Sequence, residues 1–200
     1  QVADAGVADD TIVFFWGDHG AGMPRSKRWP YNSGLRVPLI VYFPPKWQHL
    51  APKGYQPGAK SDELVAFVDF GATMLSIAGV KTPSHMQGRA FAGEFRKEAP
   101  EFIFGFRGRM DERQDLVRSA TDGRYVYLRH YMPHLPYGQH LNYMFLMPTT
   151  RVWNRLFIEG KLNELQSRFW KPKPVEELYD LQDNRWEVNN LADSKEHAAT

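Results

Sequence analysis

The sequence predicts an α/β layer fold followed by a small antiparallel-sheet α+β subdomain. Three observations carry this. Two continuous runs of β-branched and aromatic residues, Thr11–Trp16 and Val37–Phe43, read as strands buried on both faces, as in a parallel sheet. A stretch of helical period follows them, from Leu64 to Ala78. After about Pro83 short apolar runs alternate with turn residues instead. Strand, loop, strand, helix is the order of an α/β layer.

Each element has its own signal. Val2–Ala8 reads as the tail of a helix. Gly17-Asp18-His19-Gly20 ends the first strand with turn residues, and Gly22–Gly34 is a loop rich in Gly, Pro, Arg and Lys. Pro38 places the start of the second strand there, or that strand near an edge. Lys46–Lys60 is a long loop. Ser61 is positioned to cap the next helix, with Asp62 and Glu63 in its first turn. Leu64, Val65, Phe67, Val68, Met74, Leu75 and Ala78 would form its buried face, and Gly79 would stop it. Phe102–Phe106 is a short strand, and Leu116–Ala120 and Tyr125–Leu128 flank a Thr121-Asp122-Gly123 hairpin turn. His130–Pro148 has no clean period. Thr150–Trp170 is helix-like with a break at Gly160, and Glu177–Leu181 is a last strand. The change of pattern divides the chain into 1–95 and 96–200, and no internal repeat appears.

Composition narrows the function. The 200 residues are 42% hydrophobic and 14% aromatic, enough for a real core. The charge sum, 25 − 23 = +2, is too small for nucleic-acid binding by electrostatics alone. With no cysteine there is no disulfide, thiolate metal site or cysteine nucleophile in these residues. No apolar run approaches the ~18–20 residues of a membrane span. Gln1–Asp10 has neither the charge nor the apolar stretch of a signal peptide. A chain that opens in mid-pattern without Met reads as a piece of something longer.

Several groups of residues bear chemistry. Asp18 and His19 follow the first strand, where open α/β sheets place their sites, and a carboxylate beside an imidazole suits a divalent metal. The same four residues equally make a plain turn. Asp9-Asp10 lies at the other end of the strand and reads as a solvated turn. Arg25, Lys27 and Arg28 form a basic loop on the side of Asp18, suited to an anion such as phosphate or sulfate, or simply solvated. His130, His134, Tyr137, Gln139 and His140 sit in an aromatic loop that either contacts a sugar or packs onto the sheet. Arg107, Arg109, Asp111, Glu112 and Arg113 read as a salt-bridged surface loop, and Met144, Met147 and the tryptophans as core.

Thr11–Gly20, Ser26-Lys27-Arg28 and Tyr31–Val41 together resemble the type I sulfatases of the alkaline-phosphatase superfamily. Lys27, Asn32, Ser33, Gly34, Arg36 and Pro38 fall in that family's register. Leu64–Asp69 through Ala78-Gly79-Val80, with Pro83 and Met86–Arg89, resembles its next helix and loop. Glu177–Leu181 with Glu187–Ala192 resembles its closing segment. The resemblance covers about Thr11–Ala192.

The resemblance implies the C-terminal part of an alkaline-phosphatase-like α/β/α sandwich with its antiparallel subdomain. It implies a sulfuric-ester hydrolase acting on a sulfated sugar or glycan, working outside the cytoplasm. Asp18 and His19 match two ligands of a divalent metal, calcium being favoured, and Lys27 matches the lysine that binds the substrate sulfate. His134, Tyr137 and His140 are candidate substrate contacts. The family's nucleophile is a formylglycine made from Cys or Ser in a [Cys/Ser]-x-[Pro/Ala]-x-Arg motif, and attacks sulfur as its hydrate. Neither that motif nor the family's first acidic metal pair occurs here, so the missing N-terminal part is expected to hold them, and the chain alone is expected not to turn over substrate. A phosphonate or phosphate-ester hydrolase of the same superfamily, or a non-catalytic glycan-binding fragment, is the alternative.

Overall fold

The computed structural model describes residues 1–109 and 111–198. Packing separates the chain into two units. One comprises Gln1–Gly17 with Pro38–Ile103, the other Asp18–Val37 with Phe104–Thr200. The fold class expected from the sequence holds: helices combine with antiparallel sheets.

In the first unit, β1 (Val13–Trp16) pairs with β2 (Leu39–Tyr42). The pairing is antiparallel, Phe14 opposite Val41 and Phe15 opposite Ile40, which corrects the parallel sheet the sequence predicted. A continuous apolar run carries no information about direction, and the connection between the two strands holds only the single helical turn α1 (Asn32–Leu35). The strands are not buried on both faces either. Phe14 and Val41 pack on the core of Phe43, Ala51, Phe91 and Ala92, while Phe15 and Ile40 are 59% and 61% exposed. Val2–Ala8 is a series of turns leading into a 3-10 turn at Ala8–Asp10, not the tail of a helix.

The helix of this unit, α2, spans Val68–Ile77. Ser61 does not cap it. Its Oγ accepts from the Glu63 N–H in a local turn instead. The buried face is Asp69, Ala72, Thr73 and Ser76, a true i, i+3, i+4, i+7 stripe, while the expected face residues Phe67, Val68 and Met74 are exposed. The reason is polar. Asp69 accepts from the Ala66 and Arg89 N–H groups (3.0 and 2.9 Å), Thr73 Oγ1 accepts from Phe91 N–H, and Ser76 Oγ from Phe95 N–H. These small side chains bond the returning backbone of 89–95, a preference hydropathy cannot report. The helix ends as the sequence indicates. Gly79 takes φ +72, and Val80 N–H reaches the Leu75 carbonyl (2.8 Å), a Schellman stop.

The second unit holds a four-stranded sheet in the order β3 (Ile103–Arg107), β4 (Val117–Thr121), β5 (Tyr125–His130), β6 (Glu176–Asp180). β4–β5 and β5–β6 are antiparallel, as predicted. The hairpin turn works through side chains: Asp122 Oδ1 accepts from Arg124 and Tyr125 N–H, and Gly123 takes φ +95. Alternation along β5 buries Val126, Leu128 and His130. Val126 and Leu128 join Trp29, Tyr31, Val117, Leu141, Met144, Phe169 and Tyr179 in one core. Short α3 (Asn142–Phe145), α4 (Pro148–Ile158) and α5 (Glu164–Ser167) cover it. The break at Gly160 is present, with φ +67. Trp16 and Trp186 are exposed, so not every tryptophan serves as core. Among the described residues no helix is long and apolar enough to cross a membrane.

Candidate functional site

Residues 18–36 fold into a compact loop. Gly20 N–H donates to the Gly34 carbonyl (2.9 Å) and Lys27 N–H to the Ala21 carbonyl (3.0 Å). Ser26 Oγ donates to the Ser33 carbonyl (2.7 Å), and Ser33 Oγ to the Arg25 carbonyl (3.0 Å). Two glycines allow the crossing. A Cβ at Gly20 would collide with the Ser33 carbonyl oxygen, and one at Gly34 with those of Trp29 and Ser26. Gly34→Ala should destabilise the fold by about 1–3 kcal/mol through overpacking. Trypsin should then cut after Arg25, Lys27 or Arg28 much faster. Gly22→Ala, at a position with nothing near its Cβ, should leave cleavage unchanged. Equal rates for the two variants would dismiss the crossing as a constraint.

The rest of the second unit clamps this loop. The Tyr31 hydroxyl donates to Glu177 Oε2 (2.7 Å), and Asn32 N–H to Glu187 Oε1 (2.9 Å). Arg25 donates to the Trp186 and Glu187 carbonyls, Arg107 to the Arg28 carbonyl, and Trp29 Nε1–H to the Tyr137 carbonyl. Arg28 forks onto Asp111 Oδ2 at 2.9 and 2.6 Å. Arg25 and Arg28 hold left-handed backbone, φ 64 and 82, a strain these bonds sustain.

Glu177 is the centre of the clamp. It is wholly buried and accepts from the hydroxyls of Tyr31, Tyr137 and Tyr179 and from His130 Nε2. Burial by itself would raise its pKa, but the donated bonds from His130, Tyr137 and Tyr31 outweigh that and hold it below the ordinary glutamate value. Burial, and then the Glu177 charge, push the three tyrosines up, so they remain donors. Beside it a second buried cluster sets Lys173 Nζ at 3.0 and 2.9 Å from the Asp115 oxygens, with Arg107 Nε at 3.5 Å. Arg107 was expected on a surface loop. It is 1% exposed, because Asp115 and the Trp29 ring receive its charge.

The expected site residues divide sharply. Asp18 and His19 are neighbours at the surface, Asp18 Oδ2 lying 3.4 Å from His19 Nε2. His19 Nδ1 donates to the Gly20 carbonyl (2.7 Å), which in the neutral ring leaves Nε2 as a lone pair beside the carboxylate. Such a donor pair fits two positions of a cation site. It does not complete one: calcium takes about 6–8 oxygen ligands, and no group of three His, Cys, Asp or Glu that could hold a metal exists among the described residues.

Lys27 is half-buried, its Nζ 5.0 Å from the Tyr143 ring centroid, with no carboxylate in ion-pair reach among the described residues. His134 and His140 are exposed, and His140 lies against Phe145 at 4.2 Å. Tyr137 is buried, its hydroxyl on Glu177, and His130 is buried with it. The structure therefore does not bring His134, Tyr137 and His140 to one open surface. The sequence assigns no individual role to Tyr31, Glu177, Glu187 or Tyr143, although the first three lie in the segments that carry the resemblance. The one signal available was the i, i+2 spacing of Glu177 and Tyr179, which places both on one face of a strand.

This fold is shared with sulfatases. A solved structure in complex with its substrate D-glucosamine-2-N,6-O-disulfate superposes with TM-score 0.63 at 19% identity, over 99% of this chain and 33% of that one. The sequence, too, is similar to sulfatases. The family model "Sulfatase" matches residues 1–80. An ulvan-active sulfatase of Formosa agariphila is 38% identical over 98% of this chain and 32% of its own length. An N-acetylglucosamine-6-O-sulfatase of Bacteroides thetaiotaomicron is 36% identical over 42% of this chain and 14% of its length. The chain thus spans about a third of the ulvan-active relative.

Proposed function

We propose that this chain is part of a sulfuric-ester hydrolase acting on a sulfated sugar or glycan outside the cytoplasm, with Lys27 as the residue that binds the sulfate. One observation carries the choice of Lys27. Of the three cations Arg25, Lys27 and Arg28, Arg25 is committed to two carbonyls and Arg28 to Asp111, whereas Lys27 has no such partner among the described residues. An ammonium 4 Å from a sulfate oxygen gains about 4 kcal/mol at an effective dielectric of ~20. That attraction grows where sulfate charge concentrates as the ester bond breaks, so Lys27 serves the transition state more than the ground state.

In this reading Asp18 and His19 supply two ligands to calcium, which when bound would neutralise sulfate oxygens. The nucleophile is a formylglycine outside these 200 residues, in the part of the relatives' length this chain does not span. Exposed His134 and His140 are assigned to sugar contacts, and Tyr137 to anchoring the loop. The chain by itself is expected to be inactive.

The test uses the complete polypeptide carrying this chain. Lys27→Ala should lower kcat/KM for a sulfate ester by about 10²–10³-fold, the cost of removing one transition-state donor, with an unchanged melting temperature. Arg25→Ala and Arg28→Ala should act first on melting temperature, because each releases a clamp. Small and equal losses of activity for all three would leave only diffuse loop charge, and the role of Lys27 would fall.

A further inference from the structure

Lys27 carries a long flexible stem, and an unpartnered ammonium on such a stem samples many positions. Here it lies 5.0 Å from the Tyr143 ring centroid, within cation–π range. The ring itself is well placed. Tyr143 sits on α3 between Leu141 and Met144, which are 0% and 1% exposed, and the Asn142 N–H at the start of the turn donates to Glu112 Oε1 (2.6 Å). The guanidinium of Arg28, already fixed by Asp111, lies 4.3 Å from the same centroid. The Tyr143 hydroxyl makes no hydrogen bond among the described residues, so the ring face is what it offers Lys27.

We propose that Tyr143 is a positioning residue for Lys27, holding the ammonium in place without neutralising it. A carboxylate partner would orient the lysine equally well but would compete with an anionic substrate for its charge. A ring quadrupole attracts the cation and leaves its full charge for a sulfate or phosphate group. The inference rests on the reading of Lys27 as the anion-binding cation.

Three measurements test it. In the 200-residue chain, competitive acetylation read by mass spectrometry should modify Lys27 more slowly than exposed Lys60. Tyr143→Leu, which keeps bulk and removes the quadrupole, should raise the Lys27 rate towards that of Lys60, and Tyr143→Phe should restore most of the slowing. The ε-methylene protons of wild-type Lys27 should also show an upfield ring-current shift, which needs no variant. An unshifted signal, or Leu and Phe variants that react alike, would overturn the contact.

In the complete polypeptide, Tyr143→Leu should reduce kcat/KM for 4-nitrophenyl sulfate by about two- to five-fold, and by nothing further when Lys27 is already Ala. An equal loss in both backgrounds would mean that Tyr143 acts structurally. A Lys27→Ala variant with wild-type activity would sink the reading of Lys27 itself. A large Lys27→Ala loss with no effect of Tyr143→Leu would sink only the positioning role.

Discussion

Asp115→Ala is expected to cost about 3–5 kcal/mol of stability, because it leaves two buried cations without their carboxylate. Lys173 and Arg107 are 5% and 1% exposed, and burial already lowers the pKa of each against the pull of Asp115. Asp115→Asn keeps the shape and removes only the charge, so it should show most of the loss. Urea unfolding of the 200-residue chain measures both. An Asp115→Asn variant within about 0.5 kcal/mol of wild type, the range of an ordinary surface change, would show that the lysine and arginine find other company. The effect should reach the candidate site too, since Arg107 also donates to the Arg28 carbonyl in the Lys27 loop.

Glu177→Ala should cost at least about 3 kcal/mol, since a wholly buried carboxylate and its four donors are disrupted at once. Glu177→Gln should cost less, as the tyrosine hydroxyls can rotate to accept from the new amide. The carboxylate also gives a pH signature. Its folded pKa lies below the ordinary 4.5, so its contribution is complete above about pH 4.5 and is lost as pH falls through the folded value. Glu187, raised by burial, acts in the opposite sense over acidic pH. The comparison that isolates Glu177 is therefore wild type against Glu177→Gln, and wild-type stability should fall more steeply below pH 4.5 than that of the variant. Parallel acid limbs would mean that the network does not depend on the charge. Tyr31→Phe, which cuts one bond to Glu177, should free the Lys27 loop to trypsin with a smaller change in stability.

The division between the legible and the hidden follows the physics of each signal. Backbone punctuation was readable: Gly79 and Gly160 stop helices at φ +72 and +67, and the Thr121–Gly123 turn joins β4 to β5. These depend on nearest-neighbour sterics, which sequence contains. The α2 face was misread, because hydropathy ranks Phe67, Val68 and Met74 above Asp69, Thr73 and Ser76, while the returning backbone of 89–95 selects hydrogen-bonding side chains. Strand direction was misread, because the apolar runs of β1 and β2 are symmetric under reversal.

By itself, then, the sequence determined the class of fold, most element positions, the sulfatase resemblance, and the loop that carries Asp18, His19 and Lys27. Those rest on local pattern and on the order of residues along the chain. Only the tertiary structure decided which of Arg25, Lys27 and Arg28 is uncommitted, and which residues hold the loop in shape. Arg25 meets the Trp186 and Glu187 carbonyls, Arg28 meets Asp111, and Tyr31 meets Glu177 across separations of 161, 162, 83 and 146 residues. A hydrogen bond is specified by distance and angle in space. At such separations the chain order fixes neither, and folding alone brings the partners together.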